Sequence, residues 1–126
     1  NAMVSVAAAS YRVTFRPGIS LPDHWQEKLA AFYEQEEIPV VKKTKKGEKE
    51  INLKESIYDL HIDTNPCPAV CMLLNASSGG NIRPSFVLER FFATLKWELP
   101  PYALMVHRLE LYRREEERLV PLIWEK

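Results

Sequence analysis

An α+β sandwich, with two helices on one face of an antiparallel sheet, is predicted by three observations. The 126 residues are 46% apolar and 10% aromatic, and a chain of this length is expected to bury roughly two-thirds of the surface its unfolded form exposes. Two segments, around Trp25 and around Val87, repeat apolar residues at helical spacing. The remaining apolar runs are short, alternate with polar residues or are apolar throughout, and are bounded by Pro, Gly and Asn.

Tyr11-Arg12-Val13-Thr14-Phe15 alternates and reads as a first strand, closed by the turn signal Arg16-Pro17-Gly18. A helix is expected next, with Ser20 as N-cap, Pro22 in the first turn, and Trp25, Leu29, Phe32 and Tyr33 on one face, ending near Ile38-Pro39. Pro39 opens a short strand from Val40 to Thr44 that leads to a charged tip, Lys45 to Glu50, where Gly47 supplies a permissive backbone. Ile51-Asn52-Leu53 predicts a further short strand, followed by one helical turn. Asp59 to Asp63 and Ala69 to Leu74 predict a hairpin whose second, wholly apolar strand is central. Ser77-Ser78-Gly79-Gly80-Asn81 is a loop, and Pro84 starts a helix with Val87, Leu88, Phe91, Phe92 and Leu95 in one stripe, stopped by Pro100-Pro101. Tyr102 to Tyr112 is the last long strand, before a mixed-charge solvated stretch at Arg113 to Arg118 and an apolar tail from Leu119 to Trp124. This order matches the ferredoxin-like split βαβ arrangement. Asn1-Ala2 reads as an expression-tag scar before Met3, with residues 4–113 as a single α+β domain and residues 114–126 as a tail.

Seventeen basic and seventeen acidic side chains cancel, which argues against a protein wholly devoted to nucleic acid or to an anionic membrane. No stretch approaches the roughly eighteen apolar residues of a membrane span, and the alanine-rich start lacks a basic region ahead of it. A cytoplasmic chain with no membrane partner is therefore expected. The two cysteines, Cys67 and Cys71, are expected to share one face of a strand as buried thiols. Their spacing reproduces the first step of the C-x3-C-x2-C motif that binds an iron-sulfur cluster in radical-SAM enzymes, but the third position is Leu74. Too few thiolates remain for a cluster. His24, His61 and His107 have no metal-ligand spacing. His61 and Asp63 share a strand face, where an oriented imidazole is geometrically feasible and a surface pair is the plainer reading. No nucleophile elbow or phosphate-binding P-loop is present, so no catalytic residues are assigned and no complete catalytic set is visible.

Two segments stand out. Residues 42–49 hold five lysines and one glutamate, so that Lys43, Lys45, Lys46 and Lys49 form a basic finger able to reach phosphates. Lysine on an exposed hairpin also keeps a sheet edge soluble. In the second segment Gly79, Gly80, Asn81 and Arg83 precede a helix, where backbone N–H groups, the helix dipole and a guanidinium can hold a phosphate or carboxylate. The same glycines also serve a tight turn with Asn81 as a cap.

Lys43-Thr44-Lys45-Lys46-Gly47-Glu48-Lys49-Glu50-Ile51-Asn52-Leu53, then Gly79-Gly80-Asn81-Ile82-Arg83-Pro84, then Arg108 with Leu111-Tyr112, together resemble the C-terminal half of a radical-SAM-linked bacterial domain family of unknown function. The resemblance spans roughly residues 7–113, and Leu109-Glu110 stands where the family has Thr-Gly before Leu-Tyr. It implies an excised domain or a shortened homologue, working as an accessory, non-catalytic domain beside a radical-SAM protein. The iron-sulfur cluster and S-adenosylmethionine are then expected in that partner, with no cofactor in this chain. Two roles follow: presentation of a phosphate-bearing substrate, RNA foremost, or docking on the radical-SAM enzyme or on the family's N-terminal half, with Trp124 as an anchor.

Overall fold

The computed structural model describes residues 6–64, 67–77, 81–115 and 118–121. The elements follow in the order β1 (Ala8–Phe15), α1 (Trp25–Glu34), β2 (Pro39–Thr44), β3 (Gly47–Asn52), a single 3-10 turn (Leu53–Ser56), β4 (Ile57–Asp63), β5 (Ala69–Asn75), α2 (Pro84–Thr94), β6 (Leu104–Glu115) and β7 (Arg118–Pro121). The main sheet runs β4-β5-β1-β6-β7, and every neighbouring pair in it is antiparallel. Its first four strands, with α1 between β1 and β4 and α2 between β5 and β6, reproduce the ferredoxin-like split βαβ order. Within that frame β2 and β3 form a separate two-stranded hairpin, inserted in the crossover from α1 to β4.

Both helices lie on one sheet face because their apolar stripes meet the same strand residues. Phe15 of β1 makes edge contacts with Trp25 of α1 at 5.2 Å and with Phe92 of α2 at 6.1 Å. The helices touch each other through Phe32 and Phe91 at 5.4 Å. Under them, Val13, Val70, Met72, Leu74, Ile57 and Leu60 complete the core. Register assigns the opposite face, since directly opposed residues of an antiparallel pair point the same way. His61 faces Cys71, Cys71 faces Arg12, and Arg12 faces His107, which gives a polar row across the uncovered side.

Several boundaries differ from expectation. α1 starts at Trp25 with His24 as N-cap at φ 59°, so Ser20 does not cap it and Pro22 lies ahead of it; it ends at Glu34, four residues before Ile38. The buried positions Trp25, Leu29 and Phe32 fix this register. At the hairpin tip only Lys45 and Lys46 form the turn, with Thr44 paired to Gly47, so Gly47 to Glu50 belong to a strand rather than to a charged tip and run on into the strand expected at Ile51. α2 stops at Thr94, well before the prolines, and its N-cap is Arg83 without a side-chain cap bond, not Asn81. The stretch from Arg113 to Glu115 continues β6, and β7 folds back on it with Tyr112 opposite Pro121. Cys67 precedes β5 and is exposed, while Cys71 on β5 is half-buried, so neither is the buried thiol expected. No described helix is long and apolar enough to cross a membrane.

Phe91 is 1% exposed and packs on both Phe32 and Phe92. Phe91→Ala is expected to destabilise the fold by about 3–5 kcal/mol, read as a lower urea midpoint with an unchanged slope.

Candidate anion-binding site

The hairpin is fixed to the body of the domain at its base. Asn52 Oδ1 accepts the Ile38 N–H at 2.8 Å and the Lys54 N–H at 3.1 Å, and the Leu53 N–H donates to the Ile38 carbonyl at 2.7 Å. One carboxamide thus ties the entry of β2 to the exit of β3 and caps the 3-10 turn. Beside it, the Lys54 ammonium donates to the Tyr33 carbonyl and lies 3.8 Å from the centre of the Tyr33 ring. This supplies the cation that the last turn of α1 lacks.

The pleat then sorts the hairpin's charges. Val40 is buried and Ile51 packs on the core, and these two residues are paired, so their face points inward. Alternation puts the Lys42 and Lys49 pair on the same inward face, and puts Val41 with Glu50 and Lys43 with Glu48 on the outward one. Lys43 therefore sits opposite a carboxylate and on the other side from Lys49. Lys45 and Lys46 occupy the exposed turn.

The loop after β5 is held at both ends. Asn75 Oδ1 accepts from the Ser77 N–H at 2.9 Å and from its hydroxyl at 2.7 Å, while the Ile82 N–H returns to the Asn75 carbonyl at 3.0 Å. Ile82 is buried, and Asn81 and Arg83 on either side of it are exposed. Gly79 and Gly80 lie outside the described residues. The two segments meet through a bond in which the Lys42 ammonium donates to the Asn81 carbonyl at 2.6 Å. This brings the inward face of the lysine hairpin to the start of α2, next to Arg83 at its N-cap. Lys42 belongs to the lysine run but was absent from the site residues expected from sequence. The alternation starting at the buried Val40 is the signal that singles it out.

The other polar groups lie elsewhere. On the uncovered face the Arg12 guanidinium donates to Asp63 at 2.6 Å and approaches Cys71 Sγ at 3.9 Å. The hydrogen bond to Asp63 raises the pKa of Arg12 above its usual value, against the smaller opposing effect of burial. His61 Nδ1 pairs with Asp59 at 3.0 Å, and Asp63 with Arg12, so the His61–Asp63 pairing does not form. Asp63 is opposite the first residue of β5 and Ile82 is bonded to the last, a separation of roughly 20 Å along the strand. His61, Asp63 and Arg83 thus do not form one site. Burial, then the charge of Asp59, raises the Tyr33 phenol above its ordinary pKa. Among the described residues no cluster of His, Cys, Asp and Glu has the geometry of a metal site.

The fold and this geometry define a small ferredoxin-like α+β domain carrying a basic hairpin beside a helix N-terminus. The chain belongs to the family described as uncharacterized proteins conserved in bacteria (DUF2344), whose model matches residues 1–84. That span takes in β1 to β5, the whole hairpin and the loop up to the first residue of α2. No curated protein and no solved structure matches the chain.

Asn52→Ala leaves the Ile38 N–H without its partner, at an expected cost of about 1–2 kcal/mol. Amide exchange should accelerate most in β2 and β3 and least in β5, where the core is unaltered; hydrogen-deuterium exchange by mass spectrometry or NMR checks this.

Proposed function

We propose that this chain is an accessory, non-catalytic domain that presents a phosphate-bearing substrate, RNA in the first instance, to a radical-SAM protein in the bacterial cytoplasm. The observation that supports the reading most is the Lys42–Asn81 bond, because it joins two segments that each suggest phosphate contact and that lie 39 residues apart. Lys42 and Lys49 on the inward face, Lys45 and Lys46 at the turn, and Arg83 at the head of α2 together supply positive charge around one end of the sheet. Lys43, beside Glu48, contributes less. The motif order Lys-Lys-Gly-Glu-Lys-Glu then Gly-Gly-Asn-Ile-Arg-Pro carries the resemblance from which the radical-SAM role is proposed, and on that reading the partner holds the cluster and S-adenosylmethionine.

A second reading, docking on the radical-SAM enzyme or on the family's N-terminal half, is favoured by a different feature. Tyr102 is 81% exposed, and Val106 and Leu109 on β6 are also exposed. Large apolar side chains exposed on and just ahead of one strand suit a protein partner.

Fluorescence anisotropy of bulk tRNA with the whole chain, at low and near-physiological salt, separates the two readings. Saturable binding that weakens with salt, and falls about tenfold or more in a Lys45→Glu, Lys46→Glu, Arg83→Ala variant, is the expected result. Absence of binding at either salt would remove the RNA role and leave docking.

A further inference from the structure

The main sheet ends in β4 on one side and, on the other, in β7 and the part of β6 ahead of Tyr112 that β7 does not cover, which carries Arg108 and a bulge at Leu109. An outer strand presents a row of N–H and C=O groups to any other strand, and lysine, proline or a bulge is the usual guard. β7 contains Arg118 and ends at Pro121, and the β2–β3 hairpin carries Pro39 and its lysines. β4, Ile57–Asp63, has no lysine, arginine or proline. Its one irregularity, between Ile57 and Asp59, protects only the first end and leaves Asp59 to Asp63 regular. Among the described residues no strand pairs with its outer side.

We infer that β4 pairs antiparallel with β4 of a second copy of this chain, about a twofold axis through Leu60, so that two five-stranded sheets join into one. Its central residues, Asp59 to His61, are self-complementary in this register, and beyond them Tyr58 meets Ile62. Leu60 meets Leu60 of the second copy, and Asp59 meets His61. Register with β5 places Leu60 and Ile62 on the helix-covered face, opposite Met72 and Val70, and places Asp59 and His61 on the uncovered face, opposite Leu73 and Cys71. The contact is thus apolar on one side and sets a carboxylate against an imidazole on the other, a favourable set of cross-strand pairs.

Neighbouring registers fail on charge. An axis through His61 sets Asp59 against Asp63, and an axis through Asp59 sets that carboxylate against its own copy, both like-charge pairs. An axis between residues 60 and 61 sets Leu60 against His61 and Asp59 against Ile62, opposing charged to apolar groups. Asp59 and His61 are 57% and 61% exposed, available to a second chain while already 3.0 Å apart within their own. Next to Leu60 a groove of about 340 Å³, lined by Ala30, Tyr33 and Glu34 of α1 and by Leu60, His61 and Ile62, gives the approaching strand's apolar side chains somewhere to pack.

Sedimentation velocity of the whole chain across the micromolar range tests this. The expected result is a concentration-dependent dimer that Asp59→Lys weakens about tenfold or more, by removing the carboxylate that faces His61 of the second copy, and that the swap Asp59→His with His61→Asp restores. Both changes are at exposed positions, and circular dichroism checks that each variant folds. A Leu60→Cys variant, in a Cys67→Ser, Cys71→Ser background, is expected to form an interchain disulfide under mild oxidation. A monomer at every concentration would overturn the inference. So would a dimer indifferent to Asp59→Lys, even if the Leu60→Cys variant failed to fold.

Discussion

The packing of Phe15 between Trp25 and Phe92 is the constraint on which the rest of the arrangement depends. It brings both helices to the same side of a central strand, and Phe32 against Phe91 then closes the helix pair. Aromatic contacts of this kind combine a large buried area with a preference for tilted and edge-on geometry, so they determine where each helix sits as well as holding it there. With both helices on one side, the other side of the sheet is left to Arg12, Asp63, His61 and His107, which need water or each other. The polar row is a consequence of the aromatic cluster, since a strand residue that does not face the helices has no apolar layer to enter.

The position of the basic hairpin follows from the same frame. A ferredoxin-like crossover needs only α1 between its first two sheet strands, and here β2 and β3 are added after the helix. A two-stranded hairpin is marginal by itself in water. This one is held by Val40 and Ile51 on the core and by the Asn52 carboxamide at its base. Because the base is fixed and the strands are short, the inward face has one direction in which to point, and that direction leads to Asn81. The Lys42–Asn81 bond is exposed and contributes little to stability; its significance is positional.

The element order was legible in the sequence because both helices carry four or more apolar residues at helical spacing and β5 is apolar from Ala69 to Leu74. Other features depended on interactions that a local pattern does not contain. Ser20 and Pro22 have the chemistry of a helix start, yet burial of Trp25 and a left-handed His24 place that start later. Arg113 to Arg118 reads as solvated because its residues are charged, but a strand forms wherever a backbone partner is available, and the end of β6 and β7 provide it for each other. The two segments of the candidate site were each visible, since lysine density and paired glycines are local signals. Their convergence was not, because a contact between residues 42 and 81 is set by how far β2 and β5 run in space.

Overall neutrality conceals this arrangement. Seventeen charges of each sign suggest a surface without direction, and an average over the hairpin suggests a uniform basic finger. The two-residue period of the strand separates them. On the outward side Lys43 faces Glu48 and Val41 faces Glu50, which leaves that side with one more acid than base; on the inward side Lys42 faces Lys49 with no carboxylate between them. Like charges directly opposite one another are unfavourable in a sheet. Donation by Lys42 to the Asn81 carbonyl relieves the pair partially by drawing one ammonium toward an acceptor. An anion between the two lysines would relieve it further. The excess positive charge of the hairpin's two strands is therefore carried by one face, and the net charge of the chain does not register it.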